Sequence, residues 1–281
     1  MGKTLGVIGG SGLYELEGLT SVEEVRVSTS FGEPSDAVIR GQLGDTTLLF
    51  LPRHGRGHRI PPHRINYRAN ILALKQLGAE QVLSVSAVGS LREDRHPGDL
   101  VLVDQFLDRT RQRASTFFDE LGVVAHVGFG DPVDHALVQA TAAAAKAAGI
   151  AVHAGGTYVC MEGPQFSTRA ESQLYRQWGV SVIGMTAMPE AKLAREAELP
   201  YATLALATDY DCWHESGDVN VDAVVFVLKQ NAALAQRAVA ELAGALPPPE
   251  QSPAFGATKN AILTTRSEIP AAALGRLSWL F

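Results

Sequence analysis

The chain has 281 residues, of which 46% are hydrophobic and 19% are charged, and its formal net charge is −6. This composition is typical of a globular enzyme and excludes a disordered chain. The negative charge argues against a nucleic-acid partner or a membrane surface, since both attract a basic face.

The apolar stretches are long enough for strands but not for a membrane helix, and the first residues enter a strand without a signal-peptide pattern. Cys160 and Cys212 are the only cysteines, and their spacing suits neither a zinc site nor a disulfide framework. We therefore expect a cytoplasmic protein in which both cysteines are passive core residues.

Short apolar runs alternate with segments of helical period along the chain, which predicts an α/β domain. The predicted strands are 4–8, 47–51, 81–85, 100–103, 151–159, 180–185 and 201–207. The predicted helices are 66–77, 135–148, 169–177, 190–199 and 222–245. Several helices end in glycine, the usual terminating residue. We expect a single domain over residues 1–246, with a central mixed β-sheet flanked by helices.

Three consecutive prolines at 247–249 separate this domain from a tail, residues 247–281. Near its end the tail carries apolar residues at helical spacing: Leu274, Leu277, Leu280 and Phe281. A detached apolar stripe is unfavourable in water, so we expect the tail to pack on the body or on a neighbouring subunit.

A glycine-rich turn around Ser11 follows the first predicted strand. Its backbone amides and the Ser11 hydroxyl can approach an anion closely. The turn lacks the dinucleotide spacing Gly-x-Gly-x-x-Gly, and no P-loop lysine follows it. The hypothesis of an NAD-dependent oxidoreductase is therefore supported by this turn alone.

Polar side chains that suit an anion also stand at the ends of three later strands. Arg53 and His54 follow the second strand, Ser86 follows the third, and Thr186 follows the sixth. Arginine offers a planar fork to phosphate, and the other groups can donate hydrogen bonds. Taken alone, Arg53 and His54 could equally be surface charges, and the strand end at Ser86 could be only a tight turn. Because ligands gather at the carboxyl ends of strands in open α/β sheets, we expect one shared anion site.

Asp209 and Asp211 end the last predicted strand, where two carboxylates can face a ligand if the backbone leaves strand geometry. Three interpretations stay open: a surface turn, a metal site, and recognition of a 6-aminopurine. The purine presents an amine that donates and a ring N7 that can take a proton. That interpretation requires one protonated carboxyl, and burial beside a second carboxylate raises a carboxyl pKa in this way.

Nine segments, taken together and in order, resemble the trimeric purine nucleoside phosphorylase family, and within it the branch that acts on 5′-methylthioadenosine. They are IGGSGL (8–13), RHG (53–55), NYRAN (66–70), AVGSL (87–91), PGD (97–99), DQF (104–106), EGPQF (162–166), MT (185–186) and TDYDCW (208–213). The resemblance implies the fold of that family and a reaction that uses inorganic phosphate as co-substrate, with no metal and no organic cofactor.

The resemblance also implies a role for each candidate residue. Phosphate would be bound by Ser11, Arg53, His54, Ser86 and Thr186. The base would be bound by Asp209 and Asp211, and the sugar side would contact Ala87, Phe166 and Met185. Asp209, Asp211 and His54 would be the catalytic residues. Relatives often carry threonine in place of Ser11, and serine keeps the hydroxyl.

Two features imply a 6-amino substrate with an apolar 5′ group. Family members that act on 6-oxopurines carry asparagine where this chain has Asp209. A carboxylate at this position would face the purine O6, and both groups are hydrogen-bond acceptors, which is unfavourable. Val221 and Val224 lie where relatives that prefer ordinary ribonucleosides carry a histidine for the 5′-hydroxyl. An apolar wall suits a methylthio group, although valines at this spacing also fit a plain helix core.

The resemblance therefore implies phosphorolysis of 5′-methylthioadenosine to adenine and 5-methylthioribose 1-phosphate, a step of purine and methionine salvage. One alternative is an enzyme of the same fold for methylthioinosine or ordinary purine nucleosides. Another is a regulatory module that binds an adenine nucleoside, although such a module would not need the phosphate ligands. Relatives are homotrimers, so we expect a homotrimer or a hexamer, with His126 or the tail over 274–281 completing a neighbour's site.

Overall fold

One mixed β-sheet organises the molecule. The structure is a computed structural model that describes residues 3–10, 12–119, 122–215 and 221–281, without the side chains of 221, 223 and 228. The strands in these ranges are β1 (Lys3–Gly9), β2 (Thr20–Val25), β3 (Val38–Leu43), β4 (Thr46–Pro52), β5 (Gln81–Ser90), β6 (Leu100–Leu102), β7 (Gln105–Asp108), β8 (Val152–Ala154), β9 (Thr157–Cys160), β10 (Val182–Gly184) and β11 (Tyr201–Asp209).

The sheet branches at β5, its longest central strand. Along one path the order is β2-β3-β4-β1-β5-β10-β9-β7, and β5 also pairs with β11, which continues to β6 and β8. β1, β4, β5 and β11 run parallel, so their carboxyl ends share one edge. β10 runs antiparallel to the last residues of β5 and thereby brings the chain after it back to the same edge.

Helices cover the sheet, and the two larger hydrophobic clusters take up the apolar faces of most of them. α1 and α4 contribute to one cluster, and α2 and α5 to the other, because alternate residues of the strands point to opposite faces. The helices are α1 (Tyr67–Gln76), α2 (His135–Ala147), α3 (Arg169–Gln177), α4 (Ala187–Glu196), α5 (Val221–Ala243) and α6 (Ala271–Arg276). Across the ranges described, none combines the length and apolarity that crossing a membrane requires.

The predicted mixed sheet with flanking helices is confirmed, but three strands were missed. β2 is exposed along most of its length and β7 is short and at the edge of the sheet, so neither shows the apolar run that marks a buried strand. The third, β3, is interrupted by Arg40 and Gly41. The predicted strand 151–159 is two strands, because Gly155 and Gly156 take positive φ angles and turn the chain between them.

The tail packs on the body of its own chain. Leu277 is 3% exposed and lies in a hydrophobic cluster with Phe117 and Val123. Trp279 meets Phe117 edge to face, with 4.9 Å between the ring centroids.

Candidate active site

The carboxyl ends of the parallel strands bring the predicted anion ligands together. Gly9 and Pro52 are partners in the pairing of β1 with β4, and the Arg53 amide donates to the Gly9 carbonyl over 2.9 Å. Ser86 lies within β5 rather than after it, because this strand is longer than predicted. Ser11, another of the predicted phosphate ligands, lies outside the described residues.

Two buried hydroxyls form the centre of this edge. Ser86 Oγ and Thr186 Oγ1 are 3.0 Å apart, since β10 returns Thr186 to the side of β5. The fully buried Tyr158 hydroxyl lies 3.4 Å from Ser86 Oγ. A Cβ at Gly184 would lie 1.9 Å from that hydroxyl, so only glycine there lets Tyr158 reach the pair. Tyr158 was not among the predicted site residues, because nothing in a buried strand sequence distinguishes a tyrosine that supports hydroxyls.

The Arg53 guanidinium is buried against Glu190, a residue that the sequence did not single out. Its Nε and Nη2 donate to the two Glu190 carboxylate oxygens over 2.8 and 3.0 Å, and Nη2 also donates to Ser84 Oγ over 2.7 Å. Burial opposes the charge, but Glu190 outweighs it and raises the Arg53 pKa. Nη1 donates to the Val85 carbonyl over 3.0 Å, and its second hydrogen has no partner among the described residues. Arg53 is therefore largely committed to the protein, with one donor left for a ligand.

His54 is half-buried and neutral. Its Nδ1 lies 2.8 Å from the Ile60 carbonyl, which can only accept, so Nδ1 carries the hydrogen and Nε2 has a free lone pair. Burial lowers the His54 pKa to about 4, and the nearby Arg53 adds to this although the Ile60 carbonyl opposes it. The ring of His58 stacks on His54 at 4.1 Å. His54 can thus accept a hydrogen bond or a proton from a ligand.

The backbone leaves regular strand geometry at the aspartate pair, as the sequence interpretation required. The register of β11 against β5 shifts between Ala207 and Asp209, and Asp211 has a φ of +54°. Asp209 Oδ1 accepts from the Asp211 amide over 2.7 Å, and its Oδ2 accepts from the Thr208 hydroxyl over 2.8 Å. Asp211 Oδ2 accepts from the Ser167 hydroxyl over 3.0 Å. Both carboxyls are therefore held in fixed orientations.

Burial raises the pKa of Asp209, and the carboxylate of Asp211 adds to this, while the hydrogen bonds from Thr208 and the Asp211 amide oppose it. The direction is the one that a proton donor requires. Among the described residues, no group of three or more histidine, cysteine, aspartate or glutamate side chains could hold a metal ion.

Met185 and the loop after β9 meet beside the hydroxyl pair. Gly163 has a φ of +67°, and a Cβ there would lie 2.5 Å from Met185 Sδ, so the loop lies directly against this side chain. Phe166, three residues later, is 49% exposed and able to contact a bound molecule. Ala87 is half-buried in β5, next to Ser86. Gly163 thus lies against Met185, and the contact of Phe166 and Ala87 with a bound sugar stays a prediction.

The two valines predicted to face the 5′ group lie at the start of α5. Val224 is half-buried in the first turn of α5, and the Val221 side chain lies outside the described residues. α5 is fixed to β11 where Asn231 Nδ2 donates to the Ala207 carbonyl over 3.1 Å. The helix is therefore anchored two residues from Asp209.

His126, the other residue expected to serve a neighbouring subunit, is exposed and pairs with the tail. Its amide donates to the Ala261 carbonyl over 2.9 Å, and the Leu263 amide donates to the Val124 carbonyl over 2.8 Å. The side chains of Val124 and Leu263 are 49% and 68% exposed. His126 and part of the tail thus share one partly apolar surface.

An α/β sheet with donors and a neutral histidine near Ser86 of β5, and a protonatable carboxyl opposite Gly89 of the same strand, defines a nucleoside phosphorylase type of protein. The model of the phosphorylase superfamily matches residues 4–243, and the chain belongs to that superfamily.

More specific similarities lie within it. The chain is 55% identical over 279 residues to S-methyl-5′-thioadenosine phosphorylase of Geobacter sulfurreducens, covering 99% of this chain and 97% of the relative. The enzyme of that name from Hyperthermus butylicus is 54% identical over 245 residues, 87% of this chain and 89% of the relative.

Solved structures agree with these relatives. A methylthioadenosine phosphorylase from an antarctic soil metagenomic library has a TM-score of 0.94 at 47% identity, covering 100% of this chain and 99% of that one. The methylthioadenosine phosphorylase of Schistosoma mansoni in complex with adenine has a TM-score of 0.81 at 38% identity, covering 86% of this chain and 91% of that one. The predicted fold and family are thereby confirmed.

Proposed function

We propose that the protein catalyses the phosphorolysis of 5′-methylthioadenosine to adenine and 5-methylthioribose 1-phosphate. It is a glycosyltransferase, of the pentosyltransferase kind. The names of its close relatives support this reaction. The structural observation that carries it is the half-buried Asp209 carboxyl, with its raised pKa, beside the same strand that carries the hydroxyl of Ser86.

The phosphate would be held mainly by neutral donors. Ser86, Thr186 and the remaining Nη1 hydrogen of Arg53 supply hydrogen bonds, and the glycine-rich turn with Ser11 would add more. Hydrogen phosphate carries one proton, and the free lone pair of His54 Nε2 suits that P–OH group. Such fixed donors hold the nucleophile below the anomeric carbon without reorganisation during the reaction.

Proton balance assigns complementary roles to the two ends of the site. The C1′–N9 bond breaks, a phosphate oxygen forms a bond to C1′, and the purine gains one proton while the phosphate group loses one. The neutral His54 can take the proton of hydrogen phosphate, and protonated Asp209 can give one to N7 so that adenine leaves neutral. Asp211, held by Ser167, would accept from the purine.

The sugar would react as an oxocarbenium-like group between the leaving purine and the incoming phosphate. Ala87, Phe166 and Met185 would contact it, with Gly163 fixing Met185 in place. Val221 and Val224 would face the 5′-methylthio group. No metal or organic cofactor takes part in this scheme, and phosphate is a co-substrate.

We further propose a cytoplasmic homotrimer that serves purine and methionine salvage. Cys160 and Cys212 are both free and buried, in keeping with a reducing compartment. The exposed surface around His126, Val124 and Leu263 is the candidate contact with a neighbouring subunit. Sedimentation of the pure protein tests the trimer against a monomer or hexamer.

Adenine release from 5′-methylthioadenosine, with and without phosphate, tests the reaction. Adenosine, inosine and methylthioinosine are compared under the same conditions. We expect phosphate-dependent release from the 6-amino nucleosides, fastest with the methylthio compound. Preference for the inosine compounds would contradict the role of Asp209 in reading the base, and binding without cleavage would indicate a regulatory module.

A further inference from the structure

Arg113 is a buried arginine in the irregular segment between β7 and α2, and the reaction scheme above does not use it. Its side chain is only 1% exposed. A buried guanidinium is costly unless its donors are satisfied. The acceptors that satisfy it are therefore informative about what Arg113 does.

Four of these acceptors are backbone carbonyls from two separate segments of the site. Nη1 donates to the carbonyls of Met185 and Met188, both over 2.7 Å. Nη2 donates to the carbonyls of Glu162 over 2.6 Å and Met161 over 3.3 Å. Arg113 thus joins the turn that contains Thr186 to the loop that leads to Phe166.

The remaining contacts fix the guanidinium itself. Nε donates to Glu162 Oε1 over 3.0 Å, and Nη1 lies 3.0 Å from the Tyr67 hydroxyl. That hydroxyl donates to the Pro62 carbonyl, so it accepts from Arg113. A planar fork held at these points can serve carbonyls on both sides, which a lysine ammonium cannot do.

The turn around Thr186 depends on such support. Thr186 begins α4 without a side-chain cap, and Met188 inside the helix has the non-helical angles φ −114° and ψ 132°. The carbonyls of Met185 and Met188, on either side of Thr186, accept hydrogen bonds from Arg113. Without Arg113, this turn could change shape and move the Thr186 hydroxyl away from Ser86 Oγ.

We propose that Arg113 is a positioning residue that fixes the phosphate-side turn at Thr186 relative to the sugar-side loop at 161–166. This inference rests on the proposed function. It predicts that loss of the guanidinium raises the Michaelis constants of both substrates, because each segment carries contacts to one of them.

The test compares Arg113→Lys with Arg195→Lys. Arg195 is also buried, and its Nη1 and Nη2 donate to the carbonyls of Gly128 and Asp131, which lie in the same irregular segment and are not site residues. We expect Arg113→Lys to raise the phosphate KM about tenfold and the nucleoside KM by at least threefold. Arg195→Lys should leave both within twofold, whatever each variant does to the melting temperature.

The Michaelis constants separate positioning from general destabilisation, because KM does not depend on how much of the enzyme is folded. Guanidinium ion at low millimolar concentration should restore part of the lost phosphate affinity in Arg113→Ala but not in Arg195→Ala. Unchanged Michaelis constants in Arg113→Lys would overturn the inference and leave the proposed function standing. If the wild type shows no phosphate-dependent cleavage, the proposed function fails and the inference with it.

Glu162→Gln provides a second test if Arg113→Lys does not fold. It removes the carboxylate charge but leaves all four carbonyl contacts of Arg113 in place. We expect both Michaelis constants within threefold of the wild type. A tenfold rise would show that the ion pair, and not the carbonyl contacts, holds the site, and would overturn the inference.

Discussion

Asp209→Asn isolates the proton of Asp209 from the shape of the site. Asparagine has nearly the same size, and its amide oxygen can accept from the Asp211 amide as Oδ1 does now. Its NH₂ group would face the Thr208 hydroxyl, which can turn to donate to the Val88 carbonyl 3.2 Å away. Each of these polar groups can therefore keep a hydrogen-bond partner, while the dissociable proton is lost.

Loss of the proton donor should lower kcat for 5′-methylthioadenosine by about 10²- to 10⁴-fold, the usual contribution of a positioned general acid. That range corresponds to about 3–5 kcal/mol in the activation free energy. The phosphate KM should stay within about threefold, because the hydroxyls of Ser86 and Thr186 are untouched. The ratio of kcat/KM for methylthioinosine over methylthioadenosine should rise, since the asparagine amide donates to O6.

The assay follows adenine and hypoxanthine release at saturating and limiting phosphate. Asp134→Asn is the control for the same change of side chain, because Asp134 is buried at the start of α2 and asparagine caps a helix as well as aspartate does. A loss of less than tenfold in kcat, or an equal loss of phosphate affinity, would refute the role given to Asp209.

The same variant tests the cause of the raised pKa. Folding raises the Asp209 pKa above its ordinary value of 3.8, so the protonated form favours the folded state. Stability is therefore lost as pH rises from the unfolded-state value through the folded-state value. Asp209→Asn, neutral throughout, avoids this loss. Its melting temperature relative to the wild type should rise with pH from pH 4 and then level off.

Three further changes test the surroundings of the site. Glu190→Gln leaves the buried Arg53 charge unpaired and should lower the free energy of unfolding in urea by about 3–5 kcal/mol; a loss below about 1 kcal/mol would contradict the pairing. Tyr158→Phe should raise the phosphate KM about three- to tenfold in steady-state assays, and an unchanged value would mean that its hydroxyl does not support Ser86. Leu277→Ala should cost about 2–4 kcal/mol within one calorimetric transition, whereas a separate early transition would contradict docking of the tail on the body.

The sequence predicted the elements that bury an apolar face, because burial imposes a period on the residues. It also predicted that Arg53, Ser86 and Thr186 approach one another, since strand ends in a parallel sheet share an edge. The pattern of the short edge strand β7 was too weak to detect. The structure places Ser86 Oγ and Thr186 Oγ1 3.0 Å apart.

The supporting residues could not be predicted, since their partners are distant in sequence. Glu190 meets Arg53 across 137 positions, and Arg113 reaches Met188 across 75. Nor did the sequence indicate that Arg53 is mostly occupied within the protein. A charge pattern gives the kind of side chain, whereas the tertiary fold decides whether its donors face a ligand or the core.

The single strand β5 carries contacts for both proposed substrates. Ser86 lies at the phosphate end and Gly89 lies opposite Asp209, where the base would bind. At about 3.3 Å per residue, three residues separate these points by about 10 Å. The strand therefore fixes the distance between the phosphate contact and the base contact, which the sugar must span. Loops around β5 can change length without altering this distance. One residue added between Ser86 and Gly89 would change the distance between the bound phosphate and the bound base.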